Sequence, residues 1–181
     1  FDDTYMNVPA LASVLRARTI APAGGQTEFA NTYAIYDDLP KDEQRFFDTL
    51  HAEHSQECIQ RKAFPNPTEW QLSLWGEGKI PATVHPLVWQ HRTGRKSLLL
   101  GETMKQIVEL PKAESDALVR RLMELSQRRE YIYQHDWQVG DVLIWDNTGT
   151  VHRVVPFDLD CGRELQRVTL AGEEPITAVA A

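Results

Sequence analysis

Two acids, Asp2 and Asp3, open this chain, and a histidine, His152, stands 150 positions after the first of them. Arg163 follows 11 residues beyond His152, and Arg167 four beyond that. A carboxylate and an imidazole drawn from distant parts of a chain are half of many metal sites. The common non-haem iron arrangement takes two histidines and one carboxylate on one face of the metal and leaves positions open for reactants. Guanidiniums nearby would suit an anionic reactant, because the planar fork bonds a carboxylate with two parallel hydrogen bonds. Residue type alone also allows a plainer reading, in which the acids are solvated surface and His152 is an ordinary strand histidine.

Local pattern sharpens the C-terminal half of this set. His152 lies in the β-branched run Thr150–Val155, and the tract Pro156-Phe157-Asp158-Leu159-Asp160-Cys161-Gly162 is rich in turn formers. If the chain reverses about Phe157 and Asp158, His152 and Arg163 are directly opposed, with Cβ atoms ~5 Å apart. Arg163, Leu165 and Arg167 alternate and so share a face of the returning strand. Two like charges on one inward face are costly unless anions meet them. Just before the turn region, Trp145-Asp146-Asn147 closes another predicted strand.

The elements that must position these groups are mostly strands. Residues 10–20 read as a strand ended by Pro22-Ala23-Gly24-Gly25, whose glycine pair marks a tight turn. Pro40 to about Glu53 reads as a helix, with proline at its start, acids in its first turn, and Phe46, Phe47 and Leu50 at helical spacing. Residues 64–82 hold Pro65, Pro67, Pro81, Gly76 and Gly78 with Trp70 and Trp75, the pattern of a lid-like loop. Thr83–Gln90 and Lys96–Leu100 form a hairpin about Arg92-Thr93-Gly94. Leu118, Leu122 and Leu125 mark 111–128 as the best helix. Strands follow at 131–137, 141–145, 150–155 and about 164–171. Many short strands with a few helical insertions predict a mainly β fold, a sandwich or jelly roll (double-stranded β-helix), in a single domain over 1–181.

Composition bounds the partners. A net charge of −7 lacks the basic surface that nucleic acid requires. No apolar run approaches the ~20 residues of a membrane span. Cys58 and Cys161 form neither a CxxC pair nor a disulfide framework, which fits a reducing cytoplasm. A small-molecule substrate is therefore expected, and a homo-oligomer is compatible with this composition. His54 and His85 read as structural, and His51, His91 and His135 as exposed or loop histidines.

The ordered set Asp2-x-Thr4, Gly24-Gly25-Gln26-Thr27, Ala52-Glu53-His54, His85-Pro86-Leu87-Val88, Thr93-Gly94-Arg95-Lys96, Trp145-Asp146-Asn147, His152-Arg153 and Arg163-x-x-x-Arg167-x-Thr169-x-x-Gly172 resembles the taurine/2,4-D (TauD/TfdA-like) family of iron(II)- and 2-oxoglutarate-dependent dioxygenases. The resemblance runs from Asp2 to about Pro175. It implies Fe(II) as metal, 2-oxoglutarate and O2 as co-substrates, and hydroxylation with succinate and CO2 as co-products. It implies Asp2 and His152 as metal ligands, with a further His ligand expected immediately before Phe1 and part of the substrate pocket in a region upstream. It implies Arg163, Thr27 and Trp145 at the 2-oxoglutarate pocket. Arg167, with Asp3, would face a small anionic substrate: a sulfonate, a sulfate ester or an aryloxy or alkyl carboxylate. Two other classes share the architecture: a jelly-roll binding protein without catalysis, and a cupin-type metal isomerase or lyase.

Overall fold

A computed structural model describes residues 4–179; Asp2, Asp3 and the position before Phe1 lie outside the described residues. The architecture is mainly β with helices packed on it. Among the described residues, eleven strands form three antiparallel three-stranded sheets and a hairpin.

The sheets are set by burial pattern. In β1 (Ala12–Thr19), Ser13 and Ala17 are buried while Arg16 and Thr19 are exposed, the alternation expected of a strand with one covered face. It is the middle strand between β11 (Glu164–Leu170) and β9 (Val142–Asp146). β2 (Thr27–Asn31) is buried at every position but Asn31, because it is central in its sheet and covered on both faces. Its neighbours are β10 (Thr150–Val154) and β8 (Ile132–His135). Asn31 then turns the chain into helix α1 (Thr32–Asp37), its side chain accepting a hydrogen bond from the Ala34 amide at 3.1 Å.

The third sheet corrects the expected helix over 40–53. Helix α2 (Lys41–Phe47) does start after Pro40, but it stops at Asp48, and β3 (His51–His54) follows. Ala52 and His54 are buried while His51 and Glu53 are less so, a two-residue period. β3 lies between β4 (Thr83–Pro86) and β7 (Met104–Ile107), so both its backbone edges are hydrogen-bonded, and that tertiary pairing overrides the local helical spacing. The region 64–82, expected as a loop, also carries structure. After helix α3 (Gln56–Ala63), Thr68 and Gln71 form a reciprocal capping box that starts helix α4 (Glu69–Trp75). Trp75 is buried and anchors it, whereas Trp70 stays 70% exposed.

The expected hairpin over Thr83–Gln90 and Lys96–Leu100 is present only in part, as β5 (Val88–Gln90) paired with β6 (Lys96–Leu98) with Gly94 at φ +84° in the turn, because Thr83–Pro86 pairs with β3 instead. Helix α5 (Lys112–Leu125) begins after Pro111 and packs on β7, burying Leu122 and Leu125. These join Ile35, Phe47, Leu50, Leu87, Leu98 and Ile107 in one apolar core that ties α1, α2 and α5 to the sheets.

β10 and β11 do not pair. β10 runs against β2, and β11 against β1 in another sheet, so His152 and Arg163 are not cross-strand neighbours as the turn-rich linker suggested. Residues between the two strands cross from one sheet to the other through a short 3-10 turn at Leu159–Cys161, which Gly162 ends at φ +72°. No helix among the described residues is long and apolar enough to cross a membrane.

Candidate active site

His152 sits directly opposite Phe29 in the β10–β2 register, so both rings project from the same face of that sheet. Trp145, reaching in from β9 of the neighbouring sheet, meets Phe29 at 5.3 Å between ring centroids and His152 edge-on at 5.0 Å. Phe29 lies 6.1 Å from the imidazole. The two sheets thus face one another across an aromatic corner that fixes the His152 ring. Trp145 is buried, and its indole N–H has no hydrogen-bond partner among the described residues. A cavity of about 240 Å³ touches His152, Thr103, Ile59 and Met123.

Arg167 and Trp145 belong to one cluster. The Arg167 guanidinium carbon stands 5.7 Å from the Trp145 ring centre, and its Nη2 donates to Ser13 Oγ at 3.0 Å. Ser13, fully buried, also accepts from Asn147 Nδ2 at 3.0 Å. One face of β1, β9 and β11 supplies Ser13, Trp145 and Arg167, because Ser13 is registered with Trp145 and Leu15 with Arg167, and Asn147 follows directly after β9.

Arg163 stands apart, among different neighbours. Its Nη2 donates to the Gly25 carbonyl at 3.0 Å, and its guanidinium lies 4.7 Å over the Phe157 ring. Gly24 and Gly25, at φ +71° and +75°, make the expected tight turn, and the site explains why both are glycine. A Cβ on Gly24 would fall 2.1 Å from the Pro156 carbonyl oxygen, and one on Gly25 would fall 3.1 Å from Arg163 Nε. The half-buried guanidinium has no carboxylate within ion-pair distance among the described residues, and burial pulls its pKa below the usual arginine value. It lines a cavity of about 110 Å³ with Gly25, Gln26, Asp136 and Trp137.

Thr27 follows that glycine turn and is buried. Its hydroxyl oxygen accepts from the Trp137 indole N–H at 3.0 Å, which leaves its own proton to donate. Trp137 is the residue that sequence reasoning missed. The reading gave it only as the end of a strand, although a buried indole N–H needs an acceptor and so marks a nearby polar group. It is held edge-on by His135, whose Nε2 bonds Asp141 at 3.1 Å.

The structure therefore brings Trp145 to both His152 and Arg167, and sets Arg163 beside the turn that leads to Thr27. Asp2 and Asp3 lie outside the described residues, within which no three His, Cys, Asp or Glu side chains converge on a metal position. The donor chemistry fits a divalent metal as far as it extends: a neutral imidazole nitrogen is a common metal ligand. The fit to a dicarboxylate is a half-buried guanidinium without an acid, with a hydroxyl proton available on the adjoining strand.

Two histidines expected as structural are so. His54 is fully buried, and desolvation together with the neighbouring His85 pulls its pKa down to about 3. His91, expected as exposed or in a loop, lies in the loop between β5 and β6 but is buried there, stacked on Trp89 at 4.4 Å with Nε2 bonded to Ser97 Oγ at 2.8 Å.

A family model described as taurine catabolism dioxygenase TauD, TfdA family matches residues 1–169. The chain belongs to this family. Among TauD/TfdA relatives, an (S)-phenoxypropionate/alpha-ketoglutarate-dioxygenase of Sphingobium herbicidovorans is 37% identical over 95% of the chain and 61% of its own length. An alkylsulfatase of Acinetobacter baylyi is 37% identical over 95% of the chain and 56% of its own length. The crystal structure of AAD-2 in complex with Mn(II) and N-oxalylglycine superposes with a TM-score of 0.87 at 32% identity, covering 97% of this chain and 69% of that one. The chain thus spans about three fifths of the length of the curated relatives it matches.

Proposed function

We propose that the intact protein is an Fe(II)- and 2-oxoglutarate-dependent dioxygenase that hydroxylates a small anionic substrate. The observation that carries the reading is the half-buried Arg163 guanidinium without an ion-paired acid among the described residues, bonded to the glycine turn that leads to Thr27. A half-buried cation of this kind gains most when an anion or several dipoles meet it. In this reading Arg163 bonds the far carboxylate of 2-oxoglutarate through its fork, and Thr27 donates its hydroxyl proton to the same group. Trp137, bonded to Thr27, fixes the direction of that hydroxyl.

His152 and Asp2, with a His before Phe1, would hold the metal. Iron(II), 2-oxoglutarate and O2 together supply the oxidant, with succinate and CO2 released. Phe29 and Trp145 keep the imidazole oriented and shield its surroundings from water. The domain is read as one catalytic jelly roll over 1–181, with residues 64–82 and their helix α4 as a lid, working in the cytoplasm as a monomer or homo-oligomer. Incubation with Fe(II), 2-oxoglutarate and O2 should convert 2-oxoglutarate to succinate, faster with a true substrate. If no succinate forms while 2-oxoglutarate still binds, the non-catalytic jelly-roll reading replaces this one.

Arg167 and Asp3 are assigned to the substrate. Arg167 has its own neighbours, Trp145 and Ser13, rather than those of Arg163, so a second anion would find a separate cation. The names of the relatives point to aryloxy carboxylates and alkyl sulfates as the compounds to test first. Arg167→Ala should raise the KM for such a substrate roughly tenfold, the equivalent of one charge-assisted hydrogen bond. Its 2-oxoglutarate affinity should stay within twofold of wild type. A substrate panel in which neutral compounds are turned over best, or a mutation that weakens both ligands alike, would remove Arg167 from the substrate pocket.

A further inference from the structure

Residues 4–8 belong to no helix or strand, yet Thr4 is fully buried. This segment begins two residues after Asp2, and side chains in and next to the third sheet hold it. Thr4 Oγ1 lies 2.6 Å from Thr103 Oγ1, and Thr103 Oγ1 lies 3.0 Å from His54 Nδ1. Thr103 and His54 are themselves buried. From β4, the Thr83 hydroxyl donates to the Tyr5 carbonyl, and His85 Nε2 donates to the Met6 carbonyl at 3.0 Å. Three consecutive residues, Thr4, Tyr5 and Met6, are therefore held by Thr103, Thr83 and His85, the last two through backbone carbonyls, although Met6 is half exposed.

We infer that Thr103, backed by His54, is a positioning residue that locks the segment carrying the Asp2 carboxylate; this rests on Asp2 being the metal ligand proposed above. A segment outside any ladder keeps one conformation only through its side-chain bonds. A hydroxyl pair sealed from water has no solvent to take over when one member is lost. His54 Nε2 has no hydrogen-bond partner among the described residues, so Nδ1 supplies this ring's hydrogen bond. His54 stays neutral through the working pH range because of its burial, so Thr103 faces a fixed dipole rather than a titrating charge. Metal ligands must be held to within about 0.5 Å of their productive positions, a tolerance that a loose segment exceeds.

The test uses the intact protein with Thr103→Val, which keeps the shape and deletes the hydroxyl, and Thr103→Ser, which restores it. Two readouts are taken: amide hydrogen exchange over residues 4–8 in the metal-free protein, and Mn(II) affinity by calorimetry. Thr103→Val should speed exchange in 4–8 while leaving α5 unchanged, and should weaken Mn(II) binding roughly tenfold, the low end for groups that orient ligands. Thr103→Ser should recover both. Unchanged exchange in 4–8 overturns the inference, and so does faster exchange with undiminished Mn(II) affinity. If Thr103→Val loosens α5 as well, Thr4→Val is measured in its place, and the same outcomes decide. A wild-type protein that binds no Mn(II) removes the metal reading itself, and with it the positioning role, whatever the exchange shows.

Discussion

His152→Ala should lower Mn(II) affinity by on the order of 100-fold or more and abolish 2-oxoglutarate turnover. The magnitude follows from what lesser changes do: removing a group that merely orients a metal ligand costs about 10–100-fold, so removing the ligand itself starts near the top of that range. The variant also removes an imidazole packed between two aromatic rings, Trp145 at 5.0 Å and Phe29 at 6.1 Å. Each such ring pair is worth about 0.5–1.5 kcal/mol, so some stability is lost together with the metal. His152→Gln separates the two effects, because it fills more of the space and keeps a polar end. Calorimetric Mn(II) titrations and thermal melts of both variants should show affinity falling alike and stability falling less in His152→Gln. Undiminished Mn(II) affinity in either variant would return His152 to the ordinary strand histidine that its local sequence also allows.

What the sequence made legible and what it hid divide along the range of the interactions. The strands at 12–19, 132–135, 142–146, 150–154 and 164–170 and the helix at 112–125 are written in local patterns of β-branched and apolar residues, and each is present close to its expected place. The strand at 51–54 was hidden because its identity rests on two partners, β4 and β7, that lie more than 25 residues away in the chain. The pairing of β10 was hidden for the same reason. The turn formers after Val155 promised a hairpin, but β2, over a hundred residues earlier, takes the place of the returning strand. At the candidate site the chemistry-bearing types were legible, since His152, Arg163 and Arg167 are the residue types that ligate metals and bind anions. Their supports were not. Trp137 under Thr27, Ser13 under Arg167 and Phe29 beside His152 are unremarkable in the chain and gain meaning only when the sheets bring them together.

Arg163→Leu should weaken 2-oxoglutarate binding by about 1.5–3 kcal/mol, the range for hydrogen bonds to a charged group. That corresponds to roughly 10–150-fold in Kd. The structure argues for the upper part of this range. The guanidinium is half-buried, and no carboxylate among the described residues lies within ion-pair distance of it. Its bond to the Gly25 carbonyl at 3.0 Å and its stacking on Phe157 leave the rest of the fork in place for a ligand rather than free to reorganise. Preorganisation of this kind removes the ordering cost that an exposed arginine would bear on binding. Leucine should be tolerated by the fold, because the side chain packs on Phe157 and beside the Gly24-Gly25 turn through its carbon stem as well as its charge. The measurement is calorimetric titration of the Mn(II)-loaded variant with N-oxalylglycine and with 2-oxoglutarate, checked by a thermal melt. Loss of both affinities with an intact melt and intact Mn(II) binding is the expected result. Unchanged affinities would make Arg163 a structural residue that braces the glycine turn, and the anion clamp would have to be sought at Arg167.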